Sequence, residues 1–195
     1  MPNVANISVL VVDDHPAVRA GLRALIDAEH DMHAVGEAGD MYDLAPAVRR
    51  FAPDVVVLDY QLPGDDGITL CRRIKRSVNA PRVMLYSSFV GPAMAVPARI
   101  AGADAVVDKA TSPRELLAII RRLAAGESLP PETTSEMLNI AGERLPAEDL
   151  PVLGMLVHGS PASDIADALR LTREEVDRRI ERVLGRLETR RSQQD

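Results

Sequence analysis

Four consecutive apolar residues, Val55-Val56-Val57-Leu58, run without a polar interruption into Asp59. A strand with one wet face alternates apolar and polar side chains. An unbroken β-branched run belongs to a strand covered on both faces, the condition of a parallel sheet. Residues 8–12, 33–35, 82–86 and 105–107 are short β-branched runs of the same kind. Between the runs the apolar period changes to that of a helix. Val18, Leu22, Leu25 and Ile26 form one stripe, and Met41, Leu44, Val48 and Phe51 form another, with Asp40 as its expected cap. Ile68, Cys71 and Ile74 suggest a third helix, and 92–101 a fourth, which Pro97 is expected to break or shorten. The fifth is the clearest. Ser112-Pro113-Arg114-Glu115 has capping-box spacing with Pro at the first helical position, Leu116, Ile119, Ile120 and Leu123 follow, and Gly126 suits the stop. Strands alternating with helices imply an α/β fold, a doubly wound parallel five-stranded sheet.

From about 127 to 144 the pattern weakens, and Leu129-Pro130-Pro131 with the Thr/Ser/Glu run reads as a linker. Beyond Leu145 the chain reads as all-helical. Leu150, Leu153 and Leu156-Val157 mark one helix ending at Gly159, and Ile165, Ala166 and Leu169 a short second one. In TREEVDRRIERVLGRL, Val176, Ile180, Val183 and Leu187 recur at helical spacing. Two short helices followed by a longer one fit a helix-turn-helix.

The 195 residues allow one large domain or two small ones, and with 3% aromatics and no Trp the core must be Val, Ile, Leu and Ala. The net charge of −6 gives no general attraction to nucleic acid or acidic membranes, so any DNA binding must come from a local patch. The single cysteine, Cys71, cannot form an internal disulfide, which fits a reducing compartment. The opening MPNVANISVLVVDD lacks the basic start and long apolar stretch of a secretory signal, and no run approaches the ~20 apolar residues of a membrane span. A cytoplasmic location with no membrane partner is expected.

Ligands of an open parallel sheet sit beyond the carboxyl ends of its strands. The residues at those places are Asp13 and Asp14, then Asp59, then Ser87 and Ser88, then Lys109. An isolated Asp-Asp pair is commonly a cap and an isolated Ser-Ser a turn; their shared position at strand ends sets these apart. Clustered carboxylates require a cation, and oxygen ligands select a hard one, Mg²⁺ or Mn²⁺. A metal, an ammonium and a hydroxyl around one carboxylate suit phosphoryl transfer, with the carboxylate attacking in line. Lys109 is one of only two lysines, the other being Lys75, in a chain whose other bases are all Arg.

The motifs VVDDHPAVRAGLRALI, VVVLDYQLPGDDG, VMLYSS and GADAVVDKATSPRELL, in this order and spacing, resemble a response-regulator receiver domain over residues 7–126. The resemblance implies a flavodoxin-like fold in which Asp59 accepts a phosphoryl group from a sensor histidine kinase. It further implies that Asp14, Asp59 and the backbone carbonyl of Gln61 bind the metal, Asp13 acts largely through water, and Ser87 and Lys109 hold phosphoryl oxygens. Two departures stand out. The family usually carries an aromatic residue two or three positions before the lysine, and here Val106 stands there; Pro97 falls in the helix of the signalling surface. A reduced or different phosphorylation-driven change in the 87–101 region is expected.

Residues 145–187 are similar to a LuxR-type helix-turn-helix, so the whole chain resembles the NarL/FixJ class: receiver 1–126, linker 127–144, output domain 145–195. The framework positions match better than the contact positions. Where the family favours Thr-Val-Lys followed by His, this chain has Glu175-Val176-Asp177 and Arg179, and Glu148 and Asp149 stand where bases are usual. From Leu145 onward eight bases face ten acids, a balance of −2, whereas a DNA-binding module is expected to be basic. Arg178, Arg179, Arg182 and Arg186 are the candidate DNA contacts. Glu174–Arg178 and Glu175–Arg179 are expected as i,i+4 pairs. No apolar residue follows Leu187, so the family's fourth, dimerising helix is expected to be absent.

Three functions compete at this level. The first is a phosphorylation-dependent transcription regulator that binds duplex DNA as a dimer. The second is a signalling adaptor whose degenerate helix-turn-helix binds protein. The third is a Mg²⁺-dependent aspartyl phosphohydrolase, disfavoured because Gln61 stands where such enzymes need a second Asp and no substrate-capping domain is present. The first two make the chain a phosphoacceptor rather than an enzyme.

Overall fold

A computed structural model of the protein describes residues 6–188. Five parallel strands, β1 (Ile7–Val12), β2 (Met32–Ala38), β3 (Val55–Asp59), β4 (Arg82–Ser87) and β5 (Ala105–Asp108), form one sheet in the order β2-β1-β3-β4-β5. β3 is buried along its whole length. Alternate residues face opposite layers. Val9, Val11, Val55, Val57, Met84 and Val107 share a core with Leu22, Ile26, Leu116, Ile120 and Leu123 of α1 (Pro16–Asp27) and α5 (Pro113–Ala124). The opposite face carries Leu10, Val56, Leu58, Val83 and Leu85, all fully buried. α2 (Met41–Phe51) packs on β1 and β2, and α3 (Gly67–Lys75) on β3 and β4. The order reverses direction between β1 and β3, so the loops leaving their carboxyl ends diverge and open a crevice.

The expected caps form. Asp40 accepts from the amides of Tyr42 and Asp43, and Ser112 from that of Glu115. Gly126 takes φ +93° and closes α5, its amide donating to the carbonyl of Leu123. Asp65 and Asp66 are held in the loop between β3 and α3. They pair with Gln61-Leu62 in a two-residue hairpin; Asp66 caps α3 through the amide of Thr69, and Asp65 meets Arg73 at 3.0 Å.

At the amino edge of the sheet, away from the crevice, the buried Asp104 carboxylate accepts from Lys75 Nζ at 2.7 Å, Arg82 at 2.8 Å and the amide of Val83 at 2.8 Å. Arg121 of α5 forks onto Asp31 at 2.7 and 2.8 Å and reaches Glu29 at 2.6 Å. These ties pin the ends of elements that the apolar core only presses together.

By their contacts, the residues form two compact units: Met1–Val90 with Gly102–Pro130, and Gly91–Ala101 with Pro131–Asp195. The described residues of the second unit form helices and turns, with no strand among them. It holds α4 (Pro92–Ala101), α6 (Ser135–Gly142), a single 3-10 turn (Ala147–Asp149), α7 (Leu150–Val157), α8 (Ala162–Leu169) and α9 (Arg173–Glu188). Pro97 does not break α4, contrary to the sequence expectation: the helix is continuous and the ring is buried. Pro97 costs one bond, to the carbonyl of Ala93, and Ala93 lies in the exposed first turn where water can replace the donor. Within this unit α4 contacts α6, α7 and α9, and Arg99 Nε donates to the carbonyl of Val157. Helix α6 occupies the stretch read as linker, capped by Thr134 through the amide of Met137. Val152, Ile165, Val176, Ile180 and Val183 are fully buried where α7, α8 and α9 meet.

Candidate functional site

The site grows from the carboxyl ends of β1, β3 and β5. Asp13 follows β1 directly, Asp59 is the last residue of β3, and Lys109 follows β5. Asp13 and Asp59 are buried, Asp14 half-buried. Lys109 Nζ lies 2.6 Å from Asp13 Oδ2 and 3.0 Å from Asp59 Oδ2, so one ammonium bridges two carboxylates. The amide of Gln61 donates to Asp59 Oδ1 at 3.1 Å, and that of His15 to Asp13 Oδ1 at 2.8 Å. Asp13, Asp14, His15 and Asp59 each offer a ligand atom within 4.8 Å of one another.

Burial pushes the Asp59 carboxyl above the ordinary carboxylate range, and the nearby Asp13 charge adds to this; the hydrogen bonds from Gln61 and Lys109 oppose it without cancelling it. For Lys109, burial works against the ammonium, but its hydrogen bonds to Asp13 and Asp59 outweigh that and raise its pKa. The site is therefore a compact set of negative charges countered by one fixed positive charge.

The residues fit a hard cation. Asp14 Oδ1 is buried without a hydrogen-bond partner. Its neighbour in the protein is His15 Nδ1, 2.5 Å away, at ion-pair distance but outside hydrogen-bonding geometry. A buried carboxylate oxygen without a donor is costly unless a cation meets it.

Ser87, the last residue of β4, is buried at the same edge of the sheet. Its hydroxyl is engaged locally with Phe89, accepting from the amide at 3.1 Å, and not with the carboxylates. The neighbouring Ser88 is exposed. Sequence reasoning missed three residues. His15 adjoins the Asp pair. Gly67 opens α3 so close to the loop after β3 that a Cβ there would stand 2.6 Å from the carbonyl oxygen of Asp59. Tyr86, buried next to Ser87, places its ring 5.7 Å from Lys109 Nζ. A large polar residue inside an apolar strand was the available signal for Tyr86; nothing in the sequence marks how closely Gly67 approaches.

The four candidate DNA-contacting arginines divide. Arg182 forks onto the buried Asp149 at 2.6 and 2.8 Å and reaches Glu148 at 3.2 Å; Arg179 donates to the carbonyl of Glu148 at 2.6 Å. Both therefore tie α9 to the start of α7. Arg178 and Arg186 are exposed. The suspect acids are also accounted for. Glu175 accepts from the amide and hydroxyl of Thr172, each at 2.7 Å, while the Glu175 amide donates back to the Thr172 hydroxyl, a complete capping box. Thr172 holds the Glu175 carboxyl below the usual range. Asp177 lies 3.5 Å from Arg173. Among the described residues neither expected pair, Glu174–Arg178 nor Glu175–Arg179, forms; in the second, the cap engages Glu175 and Glu148 engages Arg179. The expected loss of a fourth helix falls on residues outside those described.

No helix among the described residues is long and apolar enough to cross a membrane. The family model described as the response regulator receiver domain matches residues 9–121. The DNA-binding transcriptional activator DevR/DosR of Mycobacterium tuberculosis is 31% identical over 191 residues, covering 93% of this chain and 88% of that protein. Among solved structures, a two-component response regulator of the LuxR family from Aurantimonas is 35% identical with TM-score 0.60, covering 71% of this chain and 98% of that one. The RcsB response regulator of Salmonella typhimurium, described for its conformational dynamism in DNA interaction, is 26% identical with TM-score 0.60, covering 94% of this chain and 92% of that one. A five-stranded parallel sheet with carboxylates and a lysine at its carboxyl edge, an all-helical C-terminal region and these similarities lead to one assignment: the chain belongs to the two-component response regulators of the NarL/LuxR type.

Proposed function

We propose that Asp59 is the phosphoacceptor of this regulator and that a sensor histidine kinase is its donor. The observation that carries the reading is the convergence of Asp13, Asp14 and Asp59, with Lys109 bonded to two of them. In the transfer an Asp59 carboxylate oxygen attacks phosphorus in line, and the donor keeps the electron pair of the bond that breaks. Lys109, fully charged and already beside Asp59, meets the phosphoryl oxygens. The Ser87 hydroxyl supplies a second donor by turning from Phe89. Bound Mg²⁺ (or Mn²⁺), held by Asp13, Asp14, Asp59 and the carbonyl of Gln61, would supply the positive charge that neutralises the arriving phosphoryl group.

The output is regulation of transcription through the helix-turn-helix of α8 and α9. The chain is organised as a receiver over 1–126, a connecting segment over 127–144 that includes α6, and an output domain over 145–195. DNA contact rests on Arg178 and Arg186, since Arg179 and Arg182 are engaged with Glu148 and Asp149. That same engagement favours the second reading, an adaptor whose helix-turn-helix binds a protein partner, over a strong solitary grip on DNA.

Two experiments test these statements. Incubation with a small phosphodonor and Mg²⁺ should add one phosphoryl group to the intact chain and none to Asp59→Asn; label persisting on the variant would overturn the acceptor assignment. A salt titration of duplex-DNA binding, with and without beryllofluoride, should show affinity falling steeply with salt. Absence of binding to any duplex at low salt would leave the protein-binding reading.

A further inference from the structure

The geometry points to Tyr86 as the positioning residue that holds Lys109 where the phosphoryl oxygens arrive, an inference that rests on the reading of Asp59 as phosphoacceptor. A lysine ammonium sits at the end of four flexible methylenes, and its carboxylate partners do not by themselves give it one position. Asp13 and Asp59 both attract Lys109, and phosphorylation changes the charge on one of them. The phosphoryl group adds negative charge on the Asp59 side and draws the ammonium towards it, and a fixed neighbour limits how far the ammonium shifts between the two carboxylates.

Tyr86 touches both ends of that lysine. Its ring centroid lies 5.7 Å from Lys109 Nζ, within the range at which a ring face attracts a cation. Its hydroxyl donates to the backbone carbonyl of Lys109 at 3.4 Å, a long bond and the weaker of the two ties. The strand beneath is fastened as well: the amide of Lys109 donates to the carbonyl of Ser87 at 2.8 Å, and the carbonyl of Tyr86 accepts from the amide of Tyr60 at 3.1 Å. Tyr86 is 8% exposed and belongs to the same buried cluster as Val57, Met84, Val107 and Leu116, so its ring has little room to turn. β5 carries Val106 and Val107 ahead of Lys109 and no aromatic residue of its own. The ring beside the lysine comes from the neighbouring strand, and its contact is electrostatic as well as steric. Tyr86 moves no proton and forms no bond in the transfer; it limits where the ammonium can be.

The test uses the full chain, phosphoramidate as donor, and two variants, Tyr86→Leu and Tyr86→Phe. Losing the ring should slow labelling of Asp59 about tenfold, from the strength of a partly buried cation–ring contact. Tyr86→Phe keeps the ring and should recover most of that loss. Calorimetry with Mg²⁺ alone should give the same affinity for Tyr86→Leu as for the parent chain, while beryllofluoride in the presence of Mg²⁺ binds more weakly. The Lys109 Cε resonance should lose its ring-current shift in the Leu variant and keep it in the Phe variant. Labelling by Tyr86→Leu within twofold of the parent, or a Mg²⁺ affinity that falls as far as the beryllofluoride affinity, would overturn the inference. A parent chain that takes no label would overturn the Asp59 reading beneath it, and an unchanged Lys109 resonance in the Leu variant would overturn the contact itself.

Discussion

Gly67→Ala should injure phosphoryl transfer through a single methyl group. Gly67 is the first residue of α3, and its amide donates to the carbonyl of Tyr60 at 2.8 Å, which docks the helix on the loop after Asp59. A Cβ at this position would stand 2.6 Å from the carbonyl oxygen of Asp59, 2.7 Å from Tyr60 Cα and 3.1 Å from the carbonyl oxygen of Tyr60. All three neighbours are backbone, so no side chain can swing aside. Ordinary contact begins near 3.4 Å, so the loop or the helix must retreat by about 0.8 Å. Overpacking of this kind costs about 1–3 kcal/mol. A shift approaching 1 Å in a reacting group slows chemistry by up to ~100-fold. Labelling by phosphoramidate, followed by intact mass, should therefore fall roughly 10–100-fold for the variant. Urea unfolding should show a loss of about 2 kcal/mol. Tyrosine fluorescence reports on the right unit, because the chain has no Trp and its three tyrosines all lie in Met1–Val90. Gly21→Ala is the control: a Cβ there meets nothing within 4 Å, and in an exposed helix interior it should stabilise by about 0.5–1 kcal/mol. A Gly67→Ala protein with the parent's urea midpoint and labelling within twofold would refute the argument.

Two further predictions concern the framework. Asp104→Ala should cost about 3 kcal/mol in urea unfolding, because it leaves the Val83 amide and two cations without their shared acceptor; Asp104→Asn should cost less by keeping an oxygen for that amide. A loss under about 1 kcal/mol for Asp104→Ala would show that Lys75 and Arg82 recover in solvent what they lose. Arg121 hydrogen bonds hold the Asp31 carboxyl below the ordinary range, against burial. A depressed folded pKa stabilises the fold above the unfolded carboxyl value and loses that effect as pH falls through the folded value. The urea midpoint of Arg121→Gln should therefore lie furthest below the parent's near neutral pH, and the gap should close as pH drops below about 4. A gap independent of pH would mean that Arg121 acts by packing alone.

The layered α/β architecture was legible because β3 has no wet face. A run such as Val55 to Leu58 can be buried on both sides only in a sheet with helices above and below, and that topology puts the ends of alternate strands together. Asp13, Asp59 and Lys109 were reachable from this argument, since position at a strand end is a property of sequence order once the strands are known. Pro97 was misjudged because local propensity cannot show that the carbonyl it strands lies in an exposed first turn. The output helix was legible only in part. Counting charges in TREEVDRRIERVLGRL set Glu175 among the acids and Arg179 and Arg182 among the candidate DNA contacts, without their partners in the fold. Their partners are 3 to 34 positions away, and a count of charges has no distances.

The order of elements, the sheet that follows from unalternating strands and the chemical types gathered at its carboxyl edge belong to the chain alone. Which of those groups touch belongs to the folded molecule. Lys109 reaches Asp13 across 96 positions of chain and rests against a ring from the adjacent strand; Gly67 lies against the loop after Asp59; Arg182 turns inward to Asp149. The division has a physical cause. Backbone periodicity and the apolar pattern laid on it are set along the chain, whereas an ion pair or a close approach depends on distances of a few ångströms between segments that packing alone brings together.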